Sequence, residues 1–306
     1  MKNVTPIFLI SLPRSGSTLA QRVLATHCEI ATASEPWVML PLYTAFESGL
    51  CKAEYSQETL ESAVHDFCRV LPGGIKGYHD AVVNFAKTLY GSLASEVNAS
   101  YFLDKTPRYH LIIHHLLEAF PEAKFVVLWR NPLATLGSRI HSYGGAWRLQ
   151  NYHVDLFSGV DSLAKACQNY PERIHAVRYE DMVSSPEDVF LNMFDYLGLD
   201  YDPVCVSSFY NVELQGQMGD KTGQKSYRSI AAEPLEKWKT TLGSPVRRWW
   251  CRRYLDWVGD DRLDLMGYNK KELLDSLNSA KTNYANVPID LARVIKASLF
   301  KSSRYK

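Results

Sequence analysis

The sequence has almost no excess of either charge. Its 306 residues include 34 lysines and arginines against 33 aspartates and glutamates, a formal net charge of +1 at pH 7. A general nucleic-acid binder needs a basic surplus to displace counterions from phosphate, so we expect no nucleic-acid partner. Long hydrophobic runs are also missing, since no segment approaches the roughly 18 apolar residues of a membrane span. The apolar segment at residues 7–12 is too short for a signal peptide, and we expect a cytoplasmic protein without a transmembrane segment.

Clustered cysteines are lacking as well. No two of the six lie within ten residues of each other, which excludes CxxC and zinc-ribbon spacing; they are Cys28, Cys51, Cys68, Cys167, Cys205 and Cys251. Scattered cysteines in a chain of this size are typical of small buried side chains in a reducing compartment. We expect neither a disulfide nor a metal to hold the fold together, because a chain this long can bury about three quarters of its surface.

Apolar strands alternate with amphipathic helices along the chain. Fully apolar strands in such an alternation indicate an α/β fold, with a central parallel β-sheet flanked by helices on both faces. We expect one domain over residues 1–306, with a helical insertion near 40–100 and a helical C-terminal layer over 238–306. The predicted elements are strands 7–12, 101–103, 124–129 and 174–179, and helices around 19–24, over 108–119, from Asn131 and Pro132, and from Ser185 to Gly198.

The turn after the first strand has the composition of an anion site: Arg14, Ser15, Gly16, Ser17 and Thr18. A glycine-containing strand-to-helix turn directs backbone N–H groups and the positive helix end at one point, and phosphate is the usual ligand. A Walker A loop needs GxxxxGK[ST], but Ser17 stands where that lysine would be. The turn therefore indicates a phosphate site without a magnesium triphosphate. An ordinary turn remains the alternative, since serine and glycine are common turn residues.

A second phosphate ligand is predicted at the end of another strand. Arg130 directly follows strand 124–129, and Ser138 lies eight residues later on the next helix. Open α/β sheets bind ligands at the carboxyl ends of their strands, and the planar guanidinium of arginine suits bidentate contact with phosphate. The alternative is a capping arginine beside a solvated serine.

Five segments resemble the sulfotransferases that use 3′-phosphoadenosine 5′-phosphosulfate (PAPS), which have a P-loop-like fold. They are the 13–18 loop, Asp104-Lys-Thr-Pro107, the 125–138 segment, Arg178-Tyr-Glu-Asp181 and Glu236-Lys-Trp238. The resemblance implies that residues 14–18 hold the 5′-phosphosulfate and that Arg130 and Ser138 hold the 3′-phosphate. It further implies that Lys105 approaches the bridging oxygen of the donor, that Tyr179 lies near the nucleotide, and that Lys237 closes over the phosphates.

The catalytic base is the least constrained prediction. The cytosolic small-phenol branch of the family has a histidine after Lys-Thr, but Pro107 follows Thr106 here. The chain is therefore more similar to the tyrosylprotein and carbohydrate branches. Those branches carry a glutamate base at the position that Glu35 matches, in Ser34-Glu-Pro-Trp37. His79 and His110 are the reserve candidates, and an ordinary solvent-facing carboxylate is the alternative for Glu35.

The function expected from this resemblance is sulfuryl transfer from PAPS to a hydroxyl acceptor, without a metal. A non-catalytic nucleotide-binding or scaffold protein and a nucleotide kinase with an altered phosphate loop are the alternatives. The retained Lys105 counts against the first and the missing Walker lysine against the second. The acceptor class stays open between lipid alcohols, glycans, peptides, polyketides and phenols. Its cleft could be lined by Trp37, Tyr43, Phe46 and Tyr78.

Two further patterns have an ordinary explanation beside a functional one. His110 and His114 are four residues apart and could bind a metal, but the glutamate of HExxH is missing. We therefore expect them on a solvated helix face. The tail from Leu291 to Lys306 forms a basic amphipathic pattern. Such a helix could lie on a membrane surface or contact a partner, although packing on its own domain is more common.

Overall fold

The computed structural model describes residues 4–47, 57–216, 229–230, 235–285 and 287–293. Within these residues five strands form one sheet in the order β2-β3-β1-β4-β5, and every neighbouring pair is parallel. The strands are β1 (Thr5–Ser11), β2 (Ile30–Thr32), β3 (Tyr101–Asp104), β4 (Lys124–Trp129) and β5 (Ile174–Arg178). The expected α/β fold with a central parallel sheet is confirmed.

Helices connect and cover these strands. The first ten are α1 (Ser17–Leu24), α2 (Leu40–Tyr43), α3 (Gln57–Val70), α4 (Gly74–Glu96), α5 (Ile113–Ala119), α6 (Pro132–Ser142), α7 (Val160–Asn169), α8 (Tyr179–Ser184), α9 (Pro186–Leu197) and α10 (Val204–Ser208). The helices Lys237–Leu242, Pro245–Val258, Asp260–Leu265 and Lys270–Ser279 follow towards the C-terminus. Among the described residues no helix is both long and apolar enough to cross a membrane.

Helices cover both faces of the sheet, because the strands carry apolar side chains on both faces. Phe8 and Ile10 of β1 belong to one core cluster, while Ile7 and Leu9 belong to another. Successive side chains of a strand point to opposite faces, so each cluster lies on one side of the sheet. The first cluster includes residues of α4 and α5, and the second includes residues of α1, α8 and α9.

Local signals explain where several elements begin and end. Asn131 caps α6, its side chain accepting hydrogen bonds from the backbone N–H groups of Leu133 and Ala134, and Pro132 is the first helical residue. Gly198 ends α9 with a left-handed backbone (φ 76°). The strand predicted over 174–179 ends at Arg178, and Tyr179 begins α8 instead.

Two predictions about local structure are wrong. The helix expected over 108–119 is a 3-10 helix at Pro107–Leu111 followed by α5, because Ile112 has a non-helical backbone (φ −126°). Tyr109 Oη donates a hydrogen bond to Asp104 Oδ2 at 3.0 Å. Such tertiary contacts outweigh the helical periodicity of the segment. Cys28 is exposed rather than buried, whereas Cys68, Cys167, Cys205 and Cys251 are buried. Cys51 and residues 294–306 of the basic tail lie outside the described residues.

Candidate active site

The loop between β1 and α1 presents a helix N-terminus at the carboxyl edge of the sheet. Gly16 and Arg14 both adopt left-handed backbones, with φ of 90° and 76°. Among the described residues no side chain caps α1, so its first backbone N–H groups are available to an anion. Ser15 and Ser17 are buried in the same turn. The loop therefore has the local geometry that the sequence predicts for a phosphate site.

Arg130, which follows β4, and Tyr179, which follows β5, pack against this loop. Arg130 Nη1 donates a hydrogen bond to the carbonyl oxygen of Arg14 at 2.8 Å. The guanidinium of Arg130 also lies 4.4 Å from the ring centroid of Tyr179. The Tyr179 ring occupies the space that a Cβ at Gly16 would need, which explains glycine at this position beyond its backbone angle. Residues that follow β1, β4 and β5 thus meet at one edge of the sheet.

Ser138 and Lys237 lie on the helices that border this edge. Arg14 Nε donates a hydrogen bond to Ser138 Oγ at 3.3 Å, which joins α6 to the loop. Trp238 packs against Gly137, and a Cβ at Gly137 would lie 2.7 Å from the Cβ of Trp238. This close packing holds the helix Lys237–Leu242 against α6. Lys237 is exposed at the start of that helix and so lies near the segment that carries Ser138.

Lys105 and Glu35 form a nearly buried ion pair beside the loop. Lys105 Nζ lies 2.7 Å from Glu35 Oε1 and 3.4 Å from Thr18 Oγ1. The side chain of Lys105 is 1% exposed and that of Glu35 is 13% exposed. Glu35 also accepts a hydrogen bond from Trp37 Nε1 at 3.2 Å. The alternative that Glu35 simply faces water is therefore wrong.

A buried carboxylate that the sequence analysis did not single out supports this pair. Asp104 accepts hydrogen bonds from the hydroxyls of Tyr90 at 2.6 Å, Thr106 at 2.8 Å and Tyr109 at 3.0 Å. Complete burial raises the pKa of Asp104 to about 6, although these three donors oppose the shift. An aspartate that ends an apolar strand directly before Lys105 is the sequence signal that could have revealed it.

The same network positions the Glu35 loop. Thr106 Oγ1 accepts a hydrogen bond from the backbone N–H of Trp37 at 3.2 Å. Tyr109 Oη accepts one from the backbone N–H of Met39 at 2.9 Å. Through Thr106 and Tyr109, Asp104 therefore connects the end of β3, which Lys105 directly follows, with the loop that carries Glu35. This arrangement fixes the two charged groups relative to each other.

The two reserve histidines lie in other environments. His110 is fully buried, and its Nε2 lies 3.2 Å from Asp155 Oδ1. Arg108 and Arg139 contact the same carboxylate, and burial lowers the pKa of His110. The expectation of a solvated face is thus wrong for His110, because the packing of the 3-10 helix turns this residue inwards. His79 lies instead against the Tyr43 ring, at 5.9 Å between centroids.

The aromatic residues proposed for an acceptor cleft are brought together in part. The rings of Tyr43, Phe46 and Tyr78 lie with centroids 5.1–6.4 Å apart. Tyr43 is completely buried, so it serves as packing behind Phe46 and Tyr78, which are partly buried. Trp37 lies beside Glu35 through its indole N–H.

Within the described residues, the fold and the site together define a parallel α/β protein in which the uncapped start of α1 lies beside a nearly buried Lys–Glu pair. Residues 6–203 match the family model described as "Sulfotransferase family", and the chain belongs to this family. It is a sulfotransferase, an enzyme that transfers sulfuryl groups.

The chain is also similar to individual proteins. The chain is 27% identical over 301 residues to the nodulation protein NoeE of Sinorhizobium fredii, which covers 88% of this chain and 68% of that protein. It is 23% identical over 269 residues to protein-tyrosine sulfotransferase 1 of Danio rerio, with coverage of 81% and 69%. The fold is similar to that of the sulfotransferase domain from the Synechococcus PCC 7002 olefin synthase, with a TM-score of 0.51, 24% identity and coverage of 78% and 89%.

Proposed function

We propose that this sulfotransferase moves a sulfuryl group from PAPS to a hydroxyl acceptor, with Lys105 and Glu35 as catalytic residues. The observation that carries the proposal is the position of Lys105, whose Nζ lies 2.7 Å from Glu35 and 3.4 Å from Thr18. One cation thereby contacts both the phosphate loop and the candidate base. A transfer reaction needs these groups together, because charge leaves on one side of the sulfur while a proton leaves on the other.

The donor occupies the carboxyl edge of the sheet in this proposal. Arg14, Ser15, Gly16, Ser17 and Thr18 hold its 5′-phosphosulfate through the start of α1 and their side chains. Arg130 and Ser138 hold the 3′-phosphate, an assignment supported by the contacts of Arg14 with both residues. Tyr179 lies beside the nucleotide, and Lys237 closes over the phosphates from its exposed position.

The chemistry proposed for these residues balances as a single displacement. Glu35 accepts the hydroxyl proton as the acceptor oxygen forms a bond to sulfur. The bond between sulfur and the bridging oxygen of the 5′-phosphate breaks, and negative charge develops on that oxygen. Lys105 stabilises this charge with help from Thr18. The products are a sulfate ester and 3′,5′-adenosine bisphosphate, and no metal takes part.

The acceptor is proposed to enter beside Trp37 and the partly buried Phe46 and Tyr78. Aromatic side chains near a base suit an acceptor that presents an apolar or aromatic surface next to its hydroxyl. The Danio rerio relative is a protein-tyrosine sulfotransferase, and tyrosine presents a phenolic hydroxyl, which supports a hydroxyl as the accepting group.

Thermal shift with nucleotides tests the donor. A ligand that binds only the folded state stabilises it by about 2.7 kcal/mol at 100 times its Kd. We expect 3′,5′-adenosine bisphosphate to raise the Tm and ATP with magnesium to leave it unchanged. Stabilisation by magnesium ATP alone would contradict the proposal and favour a kinase.

The Arg130→Ala variant tests the 3′-phosphate assignment. Removing a charged partner of a desolvated phosphate should weaken binding of the bisphosphate by about 2–4 kcal/mol. The variant should bind adenosine 5′-phosphate and the bisphosphate with equal affinity in calorimetry. Arg253→Ala, at an exposed position, is the control. If Arg130→Ala kept the discrimination of the wild type, the assignment would be wrong.

A further inference from the structure

A cluster of metal-ligating side chains lies between α4 and α5, apart from the residues assigned to sulfuryl transfer. His79 of α4 and His115 and Glu118 of α5 each offer a ligand atom, and these atoms lie within 4.8 Å of one another. His115 and Glu118 are three residues apart on one helix, a spacing that places them on the same face. His79 approaches this pair from the other helix.

The environment of His79 points to a missing ligand. Its Nε2 is buried and has no hydrogen-bond partner among the residues that the structure describes, and the residue is only 8% exposed. Buried polar atoms nearly always have a partner, so an exception calls for an ion or water at that position.

His115 is held in an orientation that suits metal binding. Its Nε2 lies 3.1 Å from Glu47 Oε1. Its ring stacks on the buried Tyr43 ring at 5.1 Å, with an angle of 2° between the planes. Histidines that bind metals almost always donate their other ring N–H to a carboxylate or carbonyl. With Nε2 directed at Glu47, Nδ1 of His115 is the nitrogen left for a metal.

We propose that His79, His115 and Glu118 bind a divalent transition metal of the zinc type, and that Glu47 orients His115. Two imidazoles and one carboxylate favour zinc over magnesium or calcium, which prefer oxygen ligands alone. Water supplies the fourth ligand, since Glu118 is exposed and opens the cluster to solvent. The metal has a structural role and enters no step of sulfuryl transfer.

The position of the cluster shows what the metal would stabilise. It joins α4 and α5, and through Glu47 it also holds the end of the segment that leads from Glu35 past Tyr43. Tyr78, the residue before His79, belongs to the aromatic group proposed for the acceptor. A bound metal would therefore fix the helices behind the proposed acceptor side.

Metal titration of the whole chain tests the proposal directly. The protein is stripped with a chelator, dialysed and titrated with Zn²⁺ against a competing chromophoric chelator. We expect one site per chain. Co²⁺ in place of zinc should give visible ligand-field bands of tetrahedral coordination without a sulfur charge-transfer band. A sulfur band, or no stoichiometric site, would overturn the assignment.

Exposed and buried ligands are then changed separately. Glu118→Gln alters an exposed side chain, so the fold should survive, and binding should weaken at least about tenfold. Glu47→Gln should weaken binding about 10–100-fold, as is usual for a carboxylate that orients a metal-bound histidine. His79→Ala should abolish the Co²⁺ bands. Glu122→Gln and His141→Ala, both at exposed positions, are the matched controls. Equal metal affinity in Glu118→Gln and Glu122→Gln would exclude the site. This test measures metal binding only, so its outcome does not depend on whether PAPS is the sulfuryl donor.

Discussion

Lys105 combines two roles that a substitution can separate. It contacts Glu35 in the ion pair, and under the proposed mechanism it stabilises the leaving oxygen. Loss of a group that stabilises charge only in the transition state lowers kcat by about 10²–10³-fold. Lys105→Ala should therefore reduce kcat far more than it weakens bisphosphate binding measured by calorimetry. A change confined to KM would make Lys105 a binding residue only, and Lys87→Ala at an exposed position is the control.

Glu35 can be tested without loss of its hydrogen bond to the indole N–H of Trp37. Glu35→Gln keeps the size and an acceptor oxygen but removes the basicity. General base catalysis contributes about 10²–10⁴-fold, so turnover with a hydroxyl acceptor should fall by that factor while bisphosphate affinity stays the same. Steady-state kinetics with labelled PAPS measures the first and calorimetry the second. Turnover close to that of the wild type would move the base to another residue.

Asp104 gives the stability of the protein a defined pH dependence. Its pKa rises from 3.8 to about 6 on folding, so the folded state binds its proton more tightly than the unfolded state. The tighter proton binding contributes at most about 3 kcal/mol to the free energy of unfolding. This contribution is fully present below pH 4 and is lost as the pH rises through 6. The free energy of unfolding of the wild type, measured relative to Asp104→Asn, should therefore fall between pH 4 and 6 and level off above. A constant difference would contradict this role of burial.

At the scale of elements, the turn between β1 and α1 tests how tightly the donor site is packed. Gly16→Ala imposes the cost of a left-handed backbone and also displaces Tyr179, on which Arg130 stacks. Gly198→Ala has a similar backbone (φ 76°), but among the described residues its Cβ would meet open space. The left-handed backbone alone should cost each variant about 1–2 kcal/mol of stability, and Gly16→Ala should lose more because its Cβ would clash with the Tyr179 ring. Only Gly16→Ala should also weaken bisphosphate binding, by at least about tenfold in calorimetry; equal binding by the two variants would contradict the packing argument.

Elements whose signals are local were predictable from the sequence. The strand Lys124–Trp129, the Asn131–Pro132 helix start and the Gly198 helix end each depend on a few consecutive residues. The break at Ile112 and the burial of His110 were not predictable, because they depend on contacts with Asp104 and Asp155 from elsewhere in the chain. Lys105 and Glu35 were predictable because each lies in a short local motif. The hydrogen-bond network around Asp104 was not predictable, because it forms only when β3, α4 and the 3-10 helix come together.

At the scale of the whole molecule, parallel topology explains how distant motifs share one site. All five strands end at the same edge, so residues that follow β1, β3, β4 and β5 converge there although they are far apart in sequence. Glu35 follows β2 at the same edge.

The C-terminal layer provides the test of the expected single domain. Arg247 and Asp290 form a buried bidentate ion pair, with Nε to Oδ2 at 2.7 Å and Nη2 to Oδ1 at 3.1 Å. Arg247 Nη2 also donates to the carbonyl oxygen of Gly145, just after α6, at 3.0 Å. Removal of one partner from a buried pair costs about 3–5 kcal/mol, because the other charge stays buried without compensation.

Asp290→Ala should therefore destabilise the whole chain and not the C-terminal layer alone. We expect one unfolding transition, coincident by circular dichroism and tryptophan fluorescence, at a Tm well below that of the wild type. Bisphosphate should raise this Tm as it does in the wild type, because the donor site and the C-terminal layer unfold together. Asp275→Ala, at an exposed position, should change stability by no more than about 0.5 kcal/mol. A separate early transition that bisphosphate does not shift would show that the C-terminal layer is a second domain.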